Sequence, residues 1–113
     1  MKIIFTIIFI IFLSSGNLFS QQSYNMRLLF HIEEYGYTSS CWGYSANGRE
    51  YAIIGCYLGT SIVDITDEIN IHEVGFVPGN PNGWREMKTY RNYLYVVSEA
   101  NYSGIQIIDL RYL

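Results

Sequence analysis

Short runs of alternating apolar and polar residues predict a series of β-strands after the N-terminal segment. The runs are rich in β-branched and aromatic residues, which favour extended backbone. In the first half of the chain they cover residues 28–33, 39–45, 50–56, 60–65 and 71–77. No run beyond the N-terminus has helical periodicity. The pattern therefore predicts an all-β fold, with the near-continuously apolar run 50–56 buried on both faces.

The Asn47-Gly48 dipeptide predicts a two-residue hairpin turn, because both residues tolerate positive φ. This turn places Cys41 opposite Ile54 in the neighbouring strand. A four-residue loop would instead place Cys41 opposite Cys56 and permit a disulfide in an oxidising compartment. Since the Asn-Gly turn is the stronger signal, we predict two free, buried thiols.

The same order of landmark residues occurs twice along the chain. Trp42, Gly59 and Asp64 in repeat 1 (about 39–80) correspond to Trp84, Gly104 and Asp109 in repeat 2 (about 84–113), at spacings of 42 to 45 residues. Such a period with four short strands is typical of a β-propeller blade. A free-standing β-sandwich of seven strands is the alternative architecture. We predict an incomplete β-propeller-like repeat of about one and a half to two blades.

Residues 1–20 have the pattern of a helical, cleavable secretory signal peptide. Lys2 precedes an apolar run, residues 3–13, whose helical length of about 16 Å is shorter than the roughly 30 Å hydrocarbon core of a bilayer. Cleavage is expected between Ser20 and Gln21, and the alternative is an uncleaved N-terminal anchor. We therefore expect residues 21–113 to be secreted or associated with the cell surface, without a transmembrane span.

Charge and aromatic content narrow the class of partner. The net charge is −3 and no block of basic residues is present, which argues against nucleic acid as a partner. Eleven tyrosines accompany the two tryptophans. We expect Trp42 and Trp84 to pack between blades, and the alternative is a stacking platform for a sugar or peptide.

The repeated acidic and histidine positions are the first candidates for chemistry. We expect Asp64 and Asp109 to cap turns through their side-chain oxygens, with a ligand or metal role as the alternative. We expect His31 and His72 to be hydrogen-bonded strand residues, because equivalent positions in neighbouring blades lie far apart around a ring. We therefore predict no metal site and no cofactor.

Two further carboxylates flank the central strand of repeat 2. One of Glu86 and Glu99 would act as a general acid and the other as a general base if their environments gave the two carboxyl groups different pKa values. A solvated role, or a salt bridge with Arg85 or Lys88, is the simpler expectation. The sequence contains no serine nucleophile elbow, phosphate-binding glycine loop or HExxH zinc motif. We therefore predict no catalytic residues.

Six short segments follow one another along the chain in an order that is typical of one group of proteins. They are Cys-Trp-Gly-Tyr at 41–44, Gly-Arg-Glu-Tyr-Ala at 48–52, Gly-Thr-Ser-Ile-Val-Asp-Ile at 59–65, Trp-Arg-Glu-Met-Lys at 84–88, Tyr-Val-Val-Ser-Glu-Ala at 95–100 and Gly-Ile-Gln-Ile-Ile-Asp-Leu at 104–110. Together they resemble the "choice-of-anchor B" group of secreted bacterial proteins with LVIVD repeats. The resemblance covers about Met26 to Leu113. It implies a β-propeller-like domain on an exported protein that carries a variable C-terminal anchoring module.

The length sets a further expectation, since propellers close with four to eight blades and four blades of this period need roughly 170 residues. We expect the chain to be the N-terminal portion of a longer protein or a truncated gene product, with residues 28–33 as a ring-closing strand. Its exposed strand edges would pair with missing blades or with a second copy.

We expect an exported, non-catalytic module for binding or adhesion at the cell surface, with a protein or carbohydrate ligand. The alternatives are a fragment of a hydrolase-like propeller enzyme whose active site lies in missing blades, and a truncated fragment without independent function.

Overall fold

Seven β-strands form most of the regular structure of the residues that the structure describes. The computed structural model describes residues 25–113, and the expected signal peptide, residues 1–20, lies outside the described residues. The strands are β1 (Thr38–Ala46), β2 (Arg49–Cys56), β3 (Gly59–Asp64), β4 (His72–Pro78), β5 (Arg85–Tyr90), β6 (Tyr93–Ser98) and β7 (Ile105–Asp109). A single 3₁₀ turn, Leu110–Tyr112, follows β7. The all-β prediction is confirmed.

The strands form two separate antiparallel sheets. The first sheet has the order β1-β2-β3-β4 and the second sheet has the order β5-β6-β7. Each strand pairs with its neighbour in sequence, so both sheets are simple up-and-down meanders. The two sheets stack through one face each, and the described residues do not close into a ring.

The turn between β1 and β2 has the predicted geometry. Asn47 and Gly48 have φ values of 55° and 76°, as a two-residue hairpin loop with positive φ requires. Cys41 lies opposite Ile54, which confirms the predicted register. Both cysteines are free and Cys56 is buried, but Cys41 is exposed. The prediction that both thiols are buried is therefore wrong for Cys41, whose exposure follows the alternation of side chains along β1.

The strand predicted at residues 28–33 is absent. A strand requires a partner edge, and this segment pairs with none of the strands described. The chain bonds to the β2–β3 turn just after this segment. There the backbone carbonyls of Tyr35 and Tyr37 accept hydrogen bonds from Leu58 and Tyr57 N–H at 3.3 and 3.0 Å. Tyr35 and Tyr37 are therefore held against the β2–β3 turn, and residues 28–33 add to neither sheet.

The hydrophobic core lies between the two sheets. The first sheet contributes Tyr51, Ile53 and Ile62, and the second sheet contributes Met87, Leu94 and Val96, with Leu110 from the 3₁₀ turn. In the second sheet the inward residues of β6 alternate with outward residues, as period-two patterning requires. β3 is different, because all six of its residues are buried. The run 50–56, predicted to be buried on both faces, is β2, whose exposed residues are confined to its start.

Candidate functional site

Asp64 and Asp109 occupy the same position in the two sheets. Asp64 ends β3 opposite Tyr51, and Asp109 ends β7 opposite Tyr93. Each carboxylate accepts a hydrogen bond from the backbone N–H two residues later, at 2.9 Å for Asp64 and 3.0 Å for Asp109. Both side chains therefore cap the turn that follows their strand.

Each of these carboxylates also has an arginine partner. Arg49 Nη1 lies 2.6 Å from Asp64 Oδ2, and Arg111 Nη2 lies 2.6 Å from Asp109 Oδ2. Hydrogen bonds from Thr66, through its side chain and its backbone amide, together with Arg49, lower the pKa of Asp64 to about 2. Hydrogen bonds from Arg111 likewise lower the pKa of Asp109. Both carboxylates are therefore ionised, and their oxygens are hydrogen-bonded to neighbouring groups of the same chain.

The two repeated glycines are required for different physical reasons. Gly59 lies against β4, where a Cβ would clash with the Val77 carbonyl oxygen and lie 2.7 Å from Phe76 Cζ. Gly104 has open space around it but a φ of +56°, which glycine adopts without strain. Their shared place in the repeats thus reflects close packing at Gly59 and backbone conformation at Gly104.

The two tryptophans have different environments. Trp42 packs against the core, donates its indole N–H to Thr89 Oγ1 at 2.8 Å and carries Lys88 Nζ 3.8 Å from its ring centroid. Trp84 precedes β5 and its residue is 57% exposed, so neither described sheet covers it, and its expected packing between blades stays a prediction.

The reason for this difference is the length of the hairpins. β5 and β6 have six residues each, against nine and eight in β1 and β2. Trp42 lies inside β1 opposite Ile53, whereas the shorter second hairpin leaves Trp84 outside the ladder. The spacing of 42 residues therefore does not bring the two indoles to the same structural position.

The structure does not assemble the other candidate residues into a catalytic or metal site. Glu86 and Glu99 are exposed and form no ion pair with another described residue. His31 lies 3.5 Å from Glu33, and the His72 ring bonds the nearby Asn70 carbonyl. Within residues 25–113, no group of three or more His, Cys, Asp or Glu side chains has the arrangement of a metal site.

One face of the second sheet is apolar and exposed. Tyr95 lies opposite Ile107 and Val97 lies opposite Ile105 across β6 and β7. Ile105 and Ile107 are 65% and 61% exposed, and Tyr95 and Val97 are also exposed. We call these four residues the open face.

The open face corresponds to a covered face in the first sheet. Asp64 and Asp109 hold the same position at the ends of β3 and β7. Two residues before each aspartate, the pair Tyr95–Ile107 is therefore the counterpart of the pair Ile53–Ile62. Ile53 and Ile62 are 0% and 3% exposed because the second sheet packs on them. The second sheet therefore presents to solvent the kind of surface that the first sheet buries.

Arg85 is the feature that sequence reasoning missed. The residue is 2% exposed, and its Nε and Nη2 groups donate to the Cys56 and Asn80 carbonyls at 3.2 and 3.0 Å. Burial lowers the pKa of its guanidinium. The expected salt bridge with Glu86 does not form, because Arg85 is buried while Glu86, the next residue on the strand, is exposed. The alternation with the apolar Met87 is the signal that places Arg85 on the buried side.

Comparisons with family models, curated proteins and solved structures found no match to this chain. In the part of the chain that the structure describes, no helix has the length and apolar character needed to cross a membrane.

Proposed function

We propose that the chain forms two consecutive blades of a β-propeller that serves as an exported, non-catalytic module for binding or adhesion at the cell surface. The observation that carries the architecture is the open face of the second sheet. It is equivalent in register to the face of the first sheet on which the second sheet packs. A further sheet can therefore pack on the second sheet in the same way. The occupant that fits it is a further sheet of the same repeat type.

Strand order supports the same proposal. Up-and-down sheets of four strands joined in sequence are the unit from which propellers are built. The first sheet has four strands joined in this order, and the second sheet has three strands joined in the same way. β7 has no partner on its outer edge among the described strands, and it is the edge to which a fourth strand would add.

A binding surface is supported by two neighbouring loops at one end of the sheets. The Asn80 side-chain amide donates to the Asn101 carbonyl at 3.2 Å and links the β4–β5 loop to the β6–β7 loop. Tyr102 lies beside this link with its side chain fully exposed. Loops held by rigid sheets commonly carry recognition residues, and tyrosine is enriched in recognition surfaces.

The export component rests on the N-terminal pattern of residues 1–20 and on the resemblance to secreted LVIVD-repeat proteins. Producing the chain in a bacterium, fractionating the cells and sequencing the N-terminus of the product tests it. The proposal expects a product outside the cytoplasm that begins near Gln21. An intact N-terminus in the cytoplasmic fraction contradicts it.

The binding component is tested with cells that display the protein on their surface. Adhesion to immobilised glycans and host or bacterial surface proteins is compared between the unchanged chain and Tyr102→Ala. The matched control is Tyr112→Ala, which removes another exposed tyrosine away from these loops. The proposal expects adhesion that Tyr102→Ala reduces and Tyr112→Ala leaves unchanged. Adhesion absent from the unchanged chain, or equally lowered by both variants, contradicts it.

A further inference from the structure

A buried cation lines a cavity between the two sheets without a carboxylate partner. No described acidic group lies within ion-pair distance of Arg85. An arginine guanidinium carries five N–H groups, and only two of those on Arg85 are used, both by backbone carbonyls. The guanidinium rests on Gly79, where a Cβ would lie 2.7 Å from Nη1. Because arginine remains charged in proteins, the cavity has a fixed positive charge and spare donors.

A second buried polar group, on a residue that also lines this cavity, lacks a partner. Gln106 Nε2 donates to the Pro78 carbonyl at 2.9 Å, and a carbonyl can only accept. This bond fixes the orientation of the amide and leaves Oε1 as the free acceptor. Gln106 Oε1 is buried and has no hydrogen-bond partner. Buried polar atoms are normally paired, so this oxygen lacks a donor.

The cavity has room for a small molecule. Its volume is about 370 Å³, within the range typical of ligand sites. Besides Arg85 and Gln106, its lining includes the hydroxyl residues Ser98 and Ser103. Tyr102 borders it with a fully exposed ring, which is suited to stacking on the apolar face of a sugar.

We propose that this cavity binds a small hydroxycarboxylate of the uronic acid type. The carboxylate accepts hydrogen bonds from the free Arg85 N–H groups, whose planar fork matches a carboxylate. A ring hydroxyl donates to Gln106 Oε1. An occupant of this class satisfies both unpartnered groups at once, whereas a neutral sugar leaves the charge unpaired and a simple carboxylate leaves the amide oxygen unpaired. The site lies between the two described sheets, so it does not depend on further blades.

The test uses the full-length chain, purified in the form in which cells export it. Binding of D-glucuronate, D-glucose and acetate is measured by equilibrium dialysis at fixed ionic strength. D-glucose has the same ring without the carboxylate, and acetate has the carboxylate without the ring hydroxyls. We expect saturable binding of glucuronate, at least about 10-fold weaker binding of acetate and no saturable binding of glucose. Failure of glucuronate to bind, or equal binding of glucuronate and either comparison compound, overturns the proposal.

Two variants locate the binding within the cavity. Arg85→Lys retains the charge but loses the planar fork, and we expect glucuronate affinity to fall about 10- to 100-fold. Gln106→Glu introduces a carboxylate into the lining, which occupies the positive charge and repels the ligand. We expect this variant to lose measurable glucuronate binding.

The matched control is Asn47→Asp, which adds the same negative charge at the β1–β2 turn and keeps a residue suited to that turn. It is expected to bind glucuronate like the unchanged chain. If Arg85→Lys does not fold, glucuronate binding by Gln106→Glu alone tests the assignment of the site. Unchanged glucuronate affinity in Gln106→Glu, or an equal loss in Asn47→Asp, overturns the assignment of the site to this cavity.

Discussion

Trp42 donates its indole N–H to the hydroxyl oxygen of Thr89 at 2.8 Å, and this bond joins β1 of the first sheet to β5 of the second. The two residues are partly buried at the edge of the core. A side-chain hydrogen bond between sheets gives their packing a defined orientation, which apolar contacts alone specify less sharply.

Replacing Thr89 by valine tests this connection. Thr89→Val keeps the shape of the side chain but leaves the partly buried indole N–H without an acceptor, so we expect a loss of about 1–2 kcal/mol in the free energy of unfolding. Urea unfolding followed by tryptophan fluorescence measures it. Thr38→Val, at an exposed position of β1, is the matched control and is expected to change stability by less than about 0.5 kcal/mol. Equal effects of the two variants contradict the assigned role.

Gly59 is expected to be intolerant of any side chain. A methyl group there would clash with the β4 backbone, so we expect Gly59→Ala to cost about 1–3 kcal/mol or more in the free energy of unfolding. Gly75→Ala is the control, because a Cβ at Gly75 meets no atom within 4 Å and the backbone φ is negative. Urea unfolding of both variants is the measurement. A Gly59→Ala protein as stable as Gly75→Ala contradicts the close packing of β3 on β4.

Asp64 predicts part of the acid sensitivity of the protein. Its folded-state pKa of about 2 is below its ordinary value of 3.8, so its ionised form is favoured by folding. The sign follows directly: the stabilisation is complete above pH 4 and is lost as the pH falls from about 4 towards 2. We expect Asp64→Asn to be less stable than the unchanged chain at neutral pH and to lose less stability over this interval.

The measurement for Asp64 is the urea midpoint at a series of pH values between 2 and 7. Asp67→Asn removes the same charge three residues away, where the side chain caps the exposed loop after β3 through Ile69 N–H. A steeper or unchanged pH dependence in Asp64→Asn, or the same change in Asp67→Asn, is the outcome that the account excludes.

The open face predicts self-association when no further sheet covers it. Exposed apolar sheet surfaces with unpaired edges promote pairing between chains. Ile107→Lys places a charge at the centre of this face, and we expect it to shift the protein towards monomer and to remove the dependence of the urea midpoint on protein concentration. Ile69→Lys is the control, because Ile69 is 89% exposed in the β3–β4 loop and lies outside the open face. Light scattering after size-exclusion chromatography distinguishes the two, and equal behaviour of both variants contradicts the role of the open face.

Local chemistry made most strands predictable from the sequence. The Asn47-Gly48 turn is encoded within two residues, and its register follows from the turn type alone. Asp64 and Asp109 were recognisable because a short acidic side chain at a strand end bonds the next backbone amides. The same local reasoning failed for residues 28–33, where the apolar pattern is present but the segment pairs with none of the described strands.

The environments of the candidate site residues depend on strand lengths and on contacts between the two sheets, which the sequence does not show directly. Trp84 was placed by its spacing from Trp42, but spacing does not report that the second hairpin is shorter. Arg85 was interpreted as a surface partner of Glu86, because a charged residue is rarely buried without a counter-ion. Its burial depends on the stacking of two sheets, and so does the cavity that it shares with Gln106.

The central claim is that the two sheets are consecutive units of a repeat whose stacking continues beyond them. Sedimentation velocity of the purified chain over a wide range of concentrations tests it most directly, combined with urea unfolding of the same samples. The account predicts concentration-dependent association and a urea midpoint that rises with protein concentration. A stable monomer at all concentrations, with a single cooperative and concentration-independent unfolding transition, would contradict it.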